Sequence, residues 1–202
     1  EELKTFSYTS RAVQCGGCGA HCNLTIIRFS DGHRFVSGNR CEKGAGIKIT
    51  DRTENMIEYK YNYIKDTELA KPHGKPVARV GLPLALSFYE LMPFFAQLFT
   101  DLGFEVVLSE ESTRATYYKG QQTIPSDTVC YPAKITHGHI ESLLEKNVDF
   151  IFYPCMSYNI DEGGSDNHYN CPVVAYYPEV LKANNEKLTK DNFIMPYLDL
   201  NN

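Results

Sequence analysis

Seven cysteines, distributed in two groups, are the residues of this 202-residue chain whose types and spacing could do chemistry. Cys15, Cys18 and Cys22 stand together in CGGCGAHC, and Cys41 follows after NLTIIRFSDGHRFVSGNR. Four thiolates so spaced hold zinc in a closed tetrahedron or an iron-sulfur cluster in a wider cage. The C-x2-C-x3-C run with a distant fourth cysteine matches neither ferredoxin pattern, so both metals stay open. An odd number of cysteines excludes complete intramolecular pairing, and clustered cysteines in a reducing compartment more often serve metals or catalysis than disulfides. Two competing expectations are that some of them are small buried thiols and that His21 is a bystander in the knuckle.

The second group is Cys130, Cys155 and Cys171. Cys130 precedes YPAKITHGHIESLLEKN, which predicts a helix with Pro132 at its first position and Asn147 at its left-handed exit. The positive end of that helix favours a thiolate, the form that binds metal or attacks carbon. Lys134, His137 and Glu141 follow at helical spacing on one expected face, and Lys134 and His137 are the candidate catalytic side chains. Cys155 comes directly after the strand-like DFIFY, at the carboxyl edge where open α/β sheets place ligands. Cys171 lies in YNCPVVAY, read as the approach to another strand, and reaches the same rim if SYNIDEGGSDNHYN folds back over it. A competing chemistry is a nucleophile at Cys130 with His137 or His139 as base and Glu141 as the available orienting carboxylate. A blander one is that the thiols fill space and that Lys134 and His137 line a solvated face. Neither a G-x-G-x-x-G nor a P-loop occurs, which argues against a conventional nucleotide site.

The elements that must position these residues follow from pattern. Asp31-Gly32 between two β-rich runs predicts a hairpin with a two-residue type I′ turn. Counting outward from that turn, Ser30 faces His33, Ile27 faces Val36, and Cys22 arrives opposite Cys41, close enough to share one ion. Residues 1–50 are thus expected to be a metal module made of a four-cysteine knuckle and a β-hairpin, and residues 51–76, with the punctuated KPHGKP, a linker. From 77 to 202, ARVGL, FEVVL, DFIFY and PVVAY read as short apolar strands separated by helical segments. This predicts an α/β domain, Rossmann-like or flavodoxin-like, whose parallel sheet carries helices on both faces. Ser87 with Glu90 suggests a capping box, but Pro93 moves the expected start of the main helix, and Gly103 ends it. SEESTRATYYKG predicts a shorter helix closed by Gly120. With 43% hydrophobic and 22% charged residues the composition suits a chain with a real core, and no apolar run approaches a membrane span. A net charge of -5 without a basic stripe argues against nucleic acid, and the expected location is cytoplasmic. The chain opens on EELKTF without methionine and ends on the strand-like IMPYLDLNN, so it is expected to be part of something longer.

Several long phrases also occur in order: CNLTIIRFSDGHRFVSGNRCEKGAG, RVGLPLALSFYELMPFFAQLFTDLGFEVVLS, IPSDTVCYPAKITHGHIESLLEKNVDFIFYPC and DNHYNCPVVAYYPEV. Together they resemble the acyl-CoA dehydratase activase-related proteins, also called CoA-substrate-specific enzyme activases, over nearly the whole chain. In that family such a region follows ATPase domains that drive an electron into the 2-hydroxyacyl-CoA dehydratases of anaerobes. No ATPase signature is present here, so the resemblance implies no activase activity for these residues. It implies instead a domain similar to the dehydratase subunits, which hold a [4Fe-4S] cluster by three cysteines with one iron left open. Cys130 and Cys155 fall in the CYPAK and YPC phrases where such ligands are expected, with Cys171 carried over as the third. The implied function is iron-sulfur electron transfer through an oxygen-sensitive cluster. The implied partners are the remainder of a larger activase polypeptide and a 2-hydroxyacyl-CoA dehydratase-like protein. The alternative is a non-catalytic, zinc-stapled docking module, for which Cys130 and Cys155 are dispensable.

Overall fold

The computed structural model describes residues 6–47, 55–66 and 69–200. Contacts divide the chain into two compact units, Glu1–Glu58 and Tyr59–Asn202. The expected linker contains a helix, Met56–Lys65, through which this division runs; its residues 51–54 and 67–68 lie outside the described residues.

In the first unit three strands form an antiparallel sheet in the order β1-β2-β3: β1 Tyr8–Gln14, β2 Asn23–Phe29 and β3 Arg34–Ser37. The hairpin exists, but its register differs by one from the expected one: Arg28 faces Arg34 and Ile27 faces Phe35. The cause is the loop length. Phe29 N–H donates to the His33 carbonyl at 3.0 Å and Gly32 N–H to the Phe29 carbonyl at 3.1 Å, which leaves three loop residues rather than two. Of these only Gly32 takes a positive φ, +88°, as in a type I turn followed by a left-handed glycine. Asp31 instead turns its carboxylate back to accept His33 N–H at 2.8 Å. Pairing stops at Ser37, so Cys22 and Cys41 are not a cross-strand pair. A single-turn helix, α1 (Glu42–Ala45), follows with Cys41 at its N-cap position.

The second unit is built on a parallel sheet of β4 (Arg79–Leu82), β5 (Glu105–Leu108), β6 (Phe150–Phe152) and β8 (Phe193–Ile194), ordered β5-β4-β6-β8. A separate parallel pair joins β7 (Cys155–Tyr158) to β9 (Tyr197–Asp199). Its helices are α2 (Met56–Lys65), α3 (Phe88–Asp101), α4 (Arg114–Gly120), α5 (Tyr131–Glu145) and α6 (Pro172–Asn184). Side chains alternate across a strand, and the packing follows that alternation. Phe95 and Phe99 of α3 meet the Phe152 ring at 5.3 and 5.0 Å, whereas a Cβ at Gly81 would touch Leu143 of α5 at 3.2 Å. Helices therefore cover both faces, and Val80, Leu82 and Ile151 are fully buried.

Two expectations are corrected. PVVAY is not a strand: Pro172 takes the first helical position, and Ala175, Tyr177, Pro178 and Leu181 are the buried residues of α6. Its β-branched start is a local preference that tertiary packing overrides, and the fourth strand comes later, from Phe193 and Ile194. The main helix does not wait for Pro93 but runs through it from Phe88. Ser87 is itself helical in φ and ψ and makes no cap hydrogen bond. An interior proline costs roughly 3 kcal/mol. Buried Phe88, Met92, Phe95 and Phe99, each contributing about 1.5–3 kcal/mol, lie on both sides of it and outweigh that cost. Gly103 does terminate the segment, at φ +87°, and Asn147 exits α5 at φ 53°.

Gly120 ends α4 as expected, at φ -91°, and the chain continues into a 3₁₀ turn, Gln121–Thr123. Its glycine is needed for another reason. A Cβ on Gly120 would overlap the Gly138 backbone, and one on Gly138 would overlap the Thr116 carbonyl, so two glycines let α4 and α5 meet at backbone distance. Gly138→Ala is accordingly expected to lower unfolding free energy by about 2 kcal/mol or more. Gly164→Ala, where a Cβ meets nothing within 4 Å, should stay within about 0.5 kcal/mol of the parent in the same urea titration.

Candidate functional site

At the N-terminal cysteine site, Cys15 N–H donates to the Cys22 carbonyl at 2.8 Å, extending the β1–β2 pairing by one step and closing the loop between them. Inside that loop His21 N–H donates to the Cys18 carbonyl at 3.3 Å, with His21 at φ 43°. Gly17 N–H points at the Cys15 sulfur at 3.4 Å. A Cβ on Gly17 would lie 3.9 Å from that of Lys43, so α1, headed by Cys41, abuts the knuckle. The end of β1, the start of β2 and the end of β3 lie at the same end of the antiparallel sheet, so the segments carrying Cys15, Cys22 and Cys41 leave it from that end.

In the second unit Cys130 and Cys171 occupy equivalent places, each an exposed thiol at the N-cap of a helix with proline in its first turn. Their carbonyls accept the first helical bonds, from Lys134 N–H at 3.1 Å and Ala175 N–H at 2.9 Å. A cleft of about 380 Å³ between them is lined by Pro125, Val129, Pro172, Val173, Tyr176 and Tyr177. Cys155 is buried at the start of β7, its N–H bonded to the Pro196 carbonyl at 2.8 Å. Burial pushes its thiol pKa up, and the nearby Glu179 carboxylate adds to the shift. Glu179 accepts a hydrogen bond from the Tyr197 hydroxyl of β9.

Two phenols lie within electrostatic reach of these cysteines. Burial, with the charge of Cys130 adding, raises Tyr177 to about 12, and its hydroxyl bonds His137 Nε2 at 3.0 Å. Tyr153 is fully buried; burial first, then Tyr177 and Cys155, hold it protonated, and its hydroxyl is the one buried side-chain polar atom without a hydrogen-bond partner among the described residues. No three His, Cys, Asp or Glu side chains among the described residues sit close enough to share one metal ion in this conformation.

Lys134, His137 and Glu141 do not form an open helix face. Lys134 Nζ is tied to the Asp127 carbonyl at 3.0 Å. Glu141 is buried and accepts from Asn185 Nδ2 at 2.9 Å and Lys187 Nζ at 2.6 Å. His137 is buried between Tyr177 and the Thr123 hydroxyl, which meets Nδ1 at 2.8 Å. His139 is buried between Ser109 at 2.8 Å and Ser112 at 2.9 Å, and Ser109 Oγ also accepts Leu84 N–H at 2.8 Å. Both ring nitrogens of each histidine are thus engaged away from Cys130. Sequence reasoning missed the second arrangement, which borders a cavity of about 550 Å³ beyond β4 and β5, lined by Leu84, Met92, Ser109, Ser112 and Ile135. Its only local signal is a serine placed directly after the strand EVVL.

The fold and site define a mixed α/β protein: an antiparallel three-stranded sheet with cysteines at one edge, then a parallel four-stranded sheet with cysteines at two helix starts and one strand start. Residues 79–202 match the CoA enzyme activase uncharacterised domain (DUF2229), and the chain belongs to that family. Neither a curated protein nor a solved structure matches it. No helix among the described residues is long and apolar enough to cross a membrane.

Burial lowers both His137 and His139 to about 4. An unfolded chain protonates its histidines near 6.5, so it binds protons before the folded chain does, and stability falls as pH drops from about 6.5 to 4. Each buried ring accounts for on the order of 3 kcal/mol of that loss. Urea midpoints should therefore be flat in their histidine contribution above pH 7 and decline below it, with a shallower decline in a His137→Gln/His139→Gln double variant.

Proposed function

We propose that this is an iron-sulfur electron-transfer domain of a CoA-substrate-specific enzyme activase system, acting with a 2-hydroxyacyl-CoA dehydratase-like partner and with the remainder of a larger activase polypeptide. Cys130, Cys155 and Cys171 are its ligands for an oxygen-sensitive [4Fe-4S] cluster. The single observation that carries the reading is the orphaned Tyr153 hydroxyl, a buried polar atom two residues before Cys155 in the chain. Native interiors seldom leave such a group unpaired, and an ordered water or a bound group is a usual partner. Bound there, the cluster supplies one-electron chemistry with one iron free of protein ligands.

The protein's own residues supply the surroundings. The N-termini of α5 and α6 present positive helix ends to an anionic group. Cys155, buried at the start of β7, keeps one ligand away from water. His137, fixed by Thr123, holds the Tyr177 hydroxyl in place. The strand order, counted within this sheet as second-first-third-fourth, is that of a flavodoxin-like domain, which binds ligands beyond the carboxyl ends of its strands. Cys15, Cys18, Cys22 and Cys41 would hold zinc or a [4Fe-4S] cluster in a second, structural site, where the Gly17 amide donates to the Cys15 sulfur.

A non-catalytic docking role for a zinc-stapled module is the second reading, favoured by the contact of α1 with the knuckle through Lys43 and Gly17. Metal and sulfide analysis separates the two. Anaerobically purified, reconstituted protein should carry iron and acid-labile sulfide that disappear in Cys130→Ser, and colourless wild-type protein would sink the redox reading. Independently, Cys22→Ser or Cys41→Ser should release the N-terminal metal and lower the melting temperature sharply, since a structural metal contributes folding free energy. An unchanged melt would remove that site from the structure's support.

A further inference from the structure

The described residues 6–47 carry five basic side chains, Arg11, Arg28, Arg34, Arg40 and Lys43, against two acidic ones, Asp31 and Glu42, in a chain whose totals are 20 basic and 25 acidic. Sheet register gathers three of the five. Arg28 of β2 lies directly opposite Arg34 of β3, and Thr9 of β1 lies opposite Arg28 on the other side. Arg11, two residues on from Thr9, shares that face by strand alternation. Thr9, Ser10, Arg11, Ile26, Arg28 and Arg34 line a depression of about 460 Å³. All three arginines are exposed, and none is in an ion pair among the described residues. The nearest hairpin carboxylate, Asp31, is engaged by His33 at 2.9 Å.

Like charges directly opposite each other across a strand pair destabilise a sheet. Here that arrangement has no compensating acid, and a third guanidinium stands on the same face. Arginine presents a planar fork of donors suited to phosphate oxygens. Strands lie about 4.8 Å apart, so the row from β1 to β3 spans about 10 Å, wider than one carboxylate occupies and suited to two linked phosphates. Single-stranded nucleic acid is disfavoured because its bases need aromatic platforms. Tyr8, Phe29 and Phe35 fall on the opposite face by the same alternation.

We infer that the Arg11–Arg28–Arg34 face is a binding site for a small ligand carrying a diphosphate group. This is independent of both cysteine sites. The test is isothermal calorimetry of the full chain with inorganic pyrophosphate, in buffer freed of loose metal ions, beside Arg28→Gln/Arg34→Gln and the remote Lys190→Gln. Saturable binding that weakens at least tenfold in the double variant and not in Lys190→Gln, and that weakens as salt rises, supports the site. The double variant should melt no lower than the parent, because it relieves the opposed charges, so lost binding cannot be read as lost folding. Absence of saturable binding by the parent overturns the proposal. So does equal binding by all three proteins, or a preference for a single-stranded oligonucleotide over pyrophosphate, which would make the face a polyanion surface.

Discussion

Helix α5 is buried on nearly every side, yet its buried stretch contains Thr136, His137, His139, Glu141 and Ser142, and the second unit is organised around giving those groups partners. A polar group left alone in a low-dielectric interior costs more than a hydrogen bond returns. Thr136 returns its hydroxyl to the Pro132 carbonyl of α5, and each of the other four fixes another element. His139 reaches Ser109 after β5 and Ser112 before α4; His137 reaches Thr123 and α6; Glu141 reaches Asn185 and Lys187 beyond α6; and Ser142 accepts Glu110 N–H at 3.2 Å. The glycine contact with α4 brings the helices close enough for these short side chains to reach. Cys130 and Cys171 inherit their positions from this arrangement, since the helices they cap are held by it.

What was legible in the sequence had local causes. Strands β4, β5 and β6 were readable because a strand covered on both faces must be apolar almost throughout, and Gly103 and Asn147 marked helix exits by their tolerance of positive φ. That Cys130 lies just ahead of a helix followed from Pro132, although the helix begins one residue before that proline. What was missed depended on distance. Val173 and Val174 argue for a strand until one knows that α6 packs against β7, and whether Asp31-Gly32 makes a loop of two residues or three shifts every pair beyond it. The partners of His137 and His139 come from segments far away in sequence, so neither ring could be distinguished from a solvated helix face. The three arginines on the first sheet are invisible as a stripe for the same reason: register assembles them.

The two cysteine groups are held in different ways. At the N-terminal edge the backbone of a short loop and an abutting helix turn place the thiols, and little apolar core lies beneath them: in that unit Leu24 is the buried large hydrophobic side chain among the described residues. Domains this small bury a smaller fraction of their surface than larger ones do. In the second unit the thiols sit at the margin of a large core built from Phe88, Phe95, Phe99, Ile140, Leu143 and Ile151, which would persist whatever became of them.

The pairing of β7 with β9 bears on the order in which the chain can be completed during synthesis. Cys155 stands at the head of β7, yet its amide is bonded to Pro196, and β7 is paired along its length by Tyr197–Asp199. A chain emerging from the ribosome presents its N-terminal elements first. Cys130 and Cys171 can take their helix-capping places while the last strand is still being made, whereas Cys155 remains on an unpaired edge until residues near 199 have emerged. Cys155 therefore gains its native surroundings only after translation has passed β9.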